Sequence, residues 1–412
     1  MRCPRVAAEP LRILWVKIGG LWPLNMGGRL RSFHTIAELA RRHRVTVLTT
    51  HGPADDFDEL ARQLGDCERV RSVPYAIPKA GTLGFAAALA RSWLSPYPAD
   101  LWKCRIPALQ ARVHEALAAG VDVCVADFLV SMPNMPRTTR VPTVLFEHNV
   151  EYMIWKRLSE VERRAWRRAL LAIEWRKMRR YESWACRRAR LTIAVSEADR
   201  ALLAAGAPTA DIRAIPTGVD TAYFHPNGTA EKPATLVFTG SMDWYPNEDA
   251  ILDFIATTLP EVRRQMPGVS LAVVGRNPSD RLKAAGAAAG VQVTGTVPDV
   301  RPHVAEAAVY IVPLRVGGGT RLKIFEALAM GKAVVSTTVG AEGLPIVPGE
   351  HFLQADGAAE FARAVVGLLE DSGRREALGL AGRRLVEARY SWEQVGRQFE
   401  RYCEEIVSSH AR

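Results

Sequence analysis

Short apolar runs rich in β-branched residues alternate with longer amphipathic stretches along this chain, and the alternation begins twice. Residues 11–18 (LRILWVKI) run into Gly19-Gly20, as expected of a parallel strand buried on both faces. Residues 29–42 follow with helical periodicity, then the run 45–50 (VTVLTT), and later strands read at 121–126 (VDVCVA), 143–146 (TVLF) and 191–195 (LTIAV). The pattern restarts with a strand at 234–239 (ATLVFT), a helix over 247–266 and strands at 269–274, 291–293, 309–313 and 333–336. Strands separated by helix-length segments pair in parallel and carry helices on both faces. The fold class is therefore α/β, with two Rossmann-like parallel-sheet domains expected to face a central cleft.

The richest turn and breaker stretch, 215–226 (IPTGVDTAYFHP) followed by 227–233, separates the halves. It sets the expected organisation: a first domain over 1–215, a second over 216–390, and a C-terminal helix over 391–412 packing back on the first. The 412-residue length suits two or three domains. In open α/β sheets ligands bind beyond the carboxyl ends of the strands, so the strand-to-helix loops are where chemistry is expected.

Several classes are disfavoured. The six Cys, at 3, 67, 104, 124, 186 and 403, form no Cys-x-x-Cys pair, and no His-Glu-x-x-His or EF-hand pattern occurs. No metal and no cofactor is therefore expected. Residues 1–10 lack an apolar core of signal-peptide length, and no run reaches the ~18 apolar residues that span a bilayer. A cytoplasmic globular protein is the expectation. The net charge of +10 is local: residues 1–220 carry 34 Lys+Arg against 22 Asp+Glu, and 156–190 alone carry 13 against 4.

The densest chemical signal is 309–330 (VYIVPLRVGGGTRLKIFEALAM). An apolar strand runs into Gly317, Gly318 and Gly319, Thr320 suits a helix N-cap, and Arg321 and Lys323 fall in that helix's first turn. Cations there oppose the helix dipole by roughly 0.3–1 kcal/mol each unless an anion shares the site. A phosphate beside three glycines and free backbone N–H groups would supply that anion. Glu326, further along the helix, can accept hydrogen bonds from sugar hydroxyls. A plain Gly-rich turn with solvated cations is the alternative.

Six segments now stand in order: Gly27-Gly28 after the first strand, FEHN at 146–149, AVSEAD at 194–199, IPTGVDTAYFHP at 215–226, FTGSMDWYPN at 238–247 and GGGTRLKIFEALAMGKAVVST at 317–337. Together they resemble the GT-B-fold glycosyltransferases of family four, the retaining, sugar-nucleotide-dependent group. The resemblance implies a substrate role for Gly27 and Gly28, for Gly240 and Ser241, and for Gly318, Gly319 and Thr320. It implies that His148 faces the transferred sugar, that backbone near Thr296 and Val297 holds the nucleobase, and that Arg321, Lys323 and Glu326 serve catalysis. Two departures stand out. The family usually has two acidic residues eight positions apart, and Gly318 occupies the first place while Glu326 fills the second. Arg and Lys often follow the first strand of the family's second domain, where this chain has Ser241, Met242 and Asn247.

The basic segment 156–190 reads as one or two helices, with a packed face of Val161, Ala165, Ala169 and Ile173. Its arginines stand among Trp166, Trp175, Tyr181 and Trp184. Either this is a solvated face paired with Glu160, Glu162, Glu174 and Glu182, or it is a peripheral contact with an anionic membrane, on the inner face.

The expected function is transfer of a sugar, with retention, from a nucleoside-diphosphate sugar to a lipid-linked or polysaccharide acceptor in cell-surface polysaccharide or glycolipid synthesis. A sugar-nucleotide epimerase of the same fold is the first rival. A basic nucleic-acid-binding protein is the second, disfavoured because no RNA- or DNA-binding motif is present, so nucleic acid is not expected as a partner.

Overall fold

The computed structural model describes residues 9–24, 27–53, 55–78, 82–316 and 322–410. The chain divides into two compact units, Met1–Pro216 with Val395–Arg412, and Thr217–Gln394.

The first unit holds β1 (Arg12–Lys17), β2 (Arg44–His51), β3 (Arg69–Pro74), β4 (Val123–Asp127), β5 (Thr143–Phe146), β6 (Leu191–Ala194) and β7 (Ile212–Ala214). Their order is β3-β2-β1-β4-β5-β6-β7, and every neighbouring pair is parallel. β4, β5 and β6 are buried along their whole length, as strands covered on both faces must be. Two strands go beyond the sequence expectation. β3 reads RVRSVP, where Arg69, Arg71 and Pro74 break the apolar run, and β7 has only three residues. Both are edge strands, the position that tolerates charge and proline.

The second unit holds β8 (Lys232–Thr239), β9 (Ser270–Val274), β10 (Gln292–Val293), β11 (Ala307–Val312), β12 (Ala333–Ser336) and β13 (Leu353–Gln354), again all parallel, in the order β10-β9-β8-β11-β12-β13. The two-residue β13 leaves no readable sequence pattern. The helix expected over 247–266 is three pieces: Tyr245–Asp253, a π turn over Phe254–Thr258, and Leu259–Gln265. Pro260 explains the interruption, since its ring clashes with the carbonyl four residues back and it has no N–H to donate.

Both sheets share one winding rule. The chain builds outward from a central strand on one side, then returns and builds on the other, so strand order reverses between β1 and β4 and between β8 and β11. Ligand sites in such sheets lie beyond the carboxyl ends of the strands at that reversal.

The basic segment forms the helices Glu151–Val161 and Ala165–Arg188. Its buried face is not the expected one. Ala165, Ala169 and Ile173 are exposed, and the Val161 side chain lies outside the described residues. The chain turns at 162–164, so the four-residue spacing crosses a break, and burial falls on Glu174, Met178, Tyr181, Glu182, Ala185 and Cys186 instead. Glu174 and Glu182 are consequently not solvated partners of the arginines. Glu174 accepts the Ala99 amide at 2.7 Å, and Glu182 accepts the Glu151 and Tyr152 amides at 2.7 and 3.3 Å. Each satisfies backbone donors at the start of another helix.

The helix Trp392–His410 completes the first unit's core. Val395, Phe399, Cys403 and Ile406 form its buried stripe, and the Phe399 ring centroid lies 5.4 Å from that of Trp15 and 5.2 Å from that of Phe146. Phe399→Ala would empty the middle of this aromatic cluster. The expected loss is about 3–5 kcal/mol in the denaturant unfolding of the first unit. A loss below about 1 kcal/mol would mean that the helix contributes little to that core.

Candidate active site

At the reversal point of the first sheet, Lys17 and Asp127 end β1 and β4, and His148 stands two residues past β5. Asp127 is fully buried and held from three sides. Its Oδ1 accepts from His148 Nε2 at 2.8 Å, and its Oδ2 accepts from Trp15 Nε1 at 2.8 Å and faces Lys17 Nζ at 3.4 Å. Phe128 stacks on His148 with ring centroids 3.8 Å apart and planes 4° from parallel, and the Lys17 ammonium lies 4.2 Å from the Phe128 centroid. The helix Gly27–Ala40 starts against this group. A Cβ on Gly28 would stand 2.6 Å from Phe128 Cζ and 3.8 Å from His148 Nδ1, so only glycine allows the approach.

Burial works against every charge here, and the outcome differs by residue. For Asp127 the burial cost is outweighed by Lys17 and His148, which hold the carboxyl below its ordinary range. For His148 burial wins over the attraction of Asp127 and lowers the ring to about 3. Burial also lowers Lys17, against the pull of Asp127. The result near neutral pH is a carboxylate beside a neutral imidazole.

The reversal point of the second sheet is built on bare backbone. β8 ends at Thr239, whose hydroxyl meets the buried Tyr310 hydroxyl of β11 at 2.5 Å. Gly240 follows, and a Cβ there would lie 2.7 Å from both Lys323 Nζ and Asn247 Nδ2. The Lys323 ammonium donates to Asn247 Oδ1 at 2.7 Å and sits 4.1 Å from the centroid of the Phe238 ring. Asn247, itself buried, donates from Nδ2 to the Ser241 carbonyl at 2.8 Å, so one amide fixes both the loop and the lysine. Arg276, just after β9, donates from Nε to Ser241 Oγ at 2.6 Å. Arg315, after β11, pairs with Asp249 and Asp253 at 2.9 and 2.6 Å, anchoring that loop to the helix Tyr245–Asp253.

The structure thus brings Gly28 and His148 together in the first unit, with Gly27 opening the same helix, and Gly240, Ser241 and Lys323 together in the second. Glu326 lies three residues beyond Lys323 on the helix Leu322–Ala329, half-buried; burial pushes its carboxyl up to about 7, with Lys323 opposing. Thr296 is exposed, and Val297 packs on the core of the second unit. Their loop is tied in one residue earlier, where the Gly275 amide donates to the Gly295 carbonyl at 3.2 Å. Gly318, Gly319, Thr320 and Arg321 lie outside the described residues. Three residues were not foreseen: Lys17, Asp127 and Arg276. Each is a charged residue at or just after the carboxyl end of a strand, the edge where ligands bind in such sheets, and that position was the available signal. Among the described residues no three His, Cys, Asp or Glu side chains gather as metal ligands do, and no helix is long and apolar enough to cross a membrane.

Two family models match this chain, Glycosyltransferase Family 4 over 27–223 and Glycosyl transferases group 1 over 233–371. The chain belongs to the GT-B-fold glycosyltransferases of family four. Among the relatives of this family member is the phosphatidyl-myo-inositol mannosyltransferase of Mycobacterium tuberculosis, 31% identical over a 212-residue alignment that covers 48% of this chain and 55% of the relative. The GDP-mannose-dependent alpha-(1-6)-phosphatidylinositol monomannoside mannosyltransferase of the same organism is 29% identical over a 214-residue alignment that covers 46% of this chain and 54% of the relative. The chain thus spans about half the length of the curated relatives it matches. Sucrose-phosphate synthase from Thermosynechococcus elongatus shares the fold, with a TM-score of 0.65 at 17% identity over 97% of this chain and 100% of that one.

The raised carboxyl of Glu326 gives a pH signature. Its folded value of about 7 lies above that of an unfolded glutamate, so its contribution to stability is present below about 4.5 and is lost as pH rises through 7. Glu326→Gln removes that loss. The melting temperature of the variant relative to the parent protein should rise between pH 5 and 8, by an amount on the order of 2–4 °C. A difference that stays flat across this range would place the carboxyl in water.

Proposed function

We propose that this protein transfers a sugar, with retention, from a nucleoside diphosphate to a hydroxyl of a lipid-linked or polysaccharide acceptor, in cell-surface polysaccharide or glycolipid synthesis. The observation that carries this reading is the Lys323 ammonium held over bare backbone at Gly240, at the reversal point of the second sheet. An ammonium fixed by an amide oxygen beside an uncovered backbone turn is preorganised for a diphosphate. Lys323 and Arg276 stabilise the charge that develops on the leaving diphosphate, a role the sequence pattern alone gave to Arg321 and Lys323. Asn247 takes the place where family members often carry a cation, and it directs Lys323 to the same spot. Glu326 in its carboxylate form accepts hydrogen bonds from donor hydroxyls, His148 hydrogen-bonds the transferred sugar, and backbone at 295–297 receives the nucleobase.

The names of the relatives support GDP-mannose as donor and an inositol phospholipid as acceptor, so this pair is the first to test, with UDP-glucose as the second donor. Product analysis that shows sugar release only when acceptor is present supports transfer. Interconversion of the nucleotide sugar without acceptor favours the epimerase instead. Lys323→Ala should weaken nucleotide binding by roughly 1.5–3 kcal/mol, about 10- to 150-fold, in calorimetric titration of GDP and UDP. Unchanged dissociation constants for both nucleotides would remove Lys323 from the site.

The acceptor proposed here lies in a membrane, and the helix pair Glu151–Val161 and Ala165–Arg188 supports peripheral contact with its anionic inner face. Trp166 is 61% exposed and Leu158 48%, beside exposed Arg163, Arg164, Arg167 and Arg168. Each cation near an anionic leaflet is worth about 1 kcal/mol, and the attraction is screened by salt. Replacing those four arginines with Ser should abolish sedimentation with anionic vesicles while leaving nucleotide binding intact. Equal binding to neutral and anionic vesicles, or to neither, would return this face to water.

A further inference from the structure

We propose that Asp127 is a positioning residue for His148: it holds the imidazole as the Nε2–H tautomer, so that Nδ1 accepts a hydrogen bond from a substrate hydroxyl. The assignment follows from what surrounds each nitrogen. Nε2 faces Asp127 Oδ1 at 2.8 Å, and an ionised carboxylate accepts only, so the ring proton belongs on Nε2. The other carboxylate oxygen is occupied by the Trp15 indole and faces Lys17, which leaves Oδ1 to the histidine and fixes the carboxylate in the plane it needs. Phe128, stacked at 3.8 Å, sets the plane of the ring itself. Nδ1 is then a lone pair on a side chain more than nine-tenths buried, with no hydrogen-bond partner among the described residues, 3.8 Å from where a Cβ on Gly28 would stand.

A buried acceptor of this kind is costly unless something donates to it. The backbone at Gly28 approaches closely enough that Phe128 packs where a side chain would stand, and the neutral ring has no second proton to offer at Nδ1. The chemistry that satisfies Nδ1 is an O–H donor. The site therefore prefers a substrate that presents a hydroxyl at this point, and a deoxy or fluoro analogue at that carbon should lose turnover. A protonated imidazolium, or the opposite tautomer, would donate from Nδ1 instead, which a carbonyl or phosphate oxygen satisfies as well as a hydroxyl does.

The identity of the hydroxyl rests on the transferase reading above; the tautomer does not, and the two are tested separately. With histidine ¹⁵N-labelled, the intact protein should show His148 with a protonated Nε2 and a bare Nδ1 from pH 5 to 8. Asp127→Asn preserves shape, and its amide group can donate to Nε2, which moves the ring proton to Nδ1. That variant should lose turnover on the order of 10- to 100-fold, with GDP affinity unchanged within about twofold. A proton on Nδ1, or a doubly protonated ring, in the unsubstituted protein overturns the proposal whether or not the variant folds. Full turnover in a variant whose proton has moved overturns it as well. If no donor turns over, the transferase reading fails, and the ¹⁵N spectrum still decides the hold of Asp127 on His148.

Discussion

A parallel strand spends every backbone donor and acceptor on its neighbours and buries both rows of side chains under crossover helices. An all-parallel sheet therefore offers a ligand almost nothing except at its carboxyl edge, and there only where the helices part because the winding reverses. Both units obey this constraint, and both place their unusual side chains at that point. In the first, a carboxylate, a neutral imidazole and an ammonium share a buried corner at the ends of β1, β4 and β5. In the second, an ammonium and a guanidinium gather round a glycine turn between β8 and β11.

The sequence made the central strands readable because burial on both faces forces unbroken apolar runs. It hid β3, β7 and β13 because an edge strand can carry Arg69 and Arg71, and a strand of two or three residues has no period to detect. At the sites, His148 and Lys323 were legible from their places after strands and in a first helical turn. Asp127 and Arg276 carried the same positional signal at the ends of β4 and β9, but what each does there comes from its three-dimensional neighbours. The face of the helix Ala165–Arg188 was misread for a physical reason. Spacing counted across 162–164 assumes one continuous helix, and two acidic side chains that look solvated in a basic stretch are instead buried against backbone amides.

The basic excess also separates into distinct kinds of cation. Lys332 is buried and satisfied by the Ala305 and Ala307 carbonyls at 2.7 and 2.9 Å and by Glu231 at 2.9 Å. Arg31 is buried too, donating to the Glu147 and Ile215 carbonyls at 2.6 and 2.7 Å over the Phe146 ring. These two are built into the fold, and exchanging a guanidinium for an ammonium at 31 would leave carbonyls unmatched. Lys17 and Lys323 differ, since each lies at a reversal point beside an aromatic ring, with Asp127 facing the first and Asn247 accepting from the second.

The return of Val395–Arg412 to the first unit has a consequence for synthesis. When Pro216 leaves the ribosome, the Trp15 and Phe146 face lacks Phe399 and stays uncovered until the whole second unit has been translated. At roughly 5–20 residues per second, that interval is on the order of 10–40 s. The later half of the chain can fold first. The earlier half waits through that period with an apolar seam open to chaperones or to other nascent chains, until Val395–Arg412 closes it.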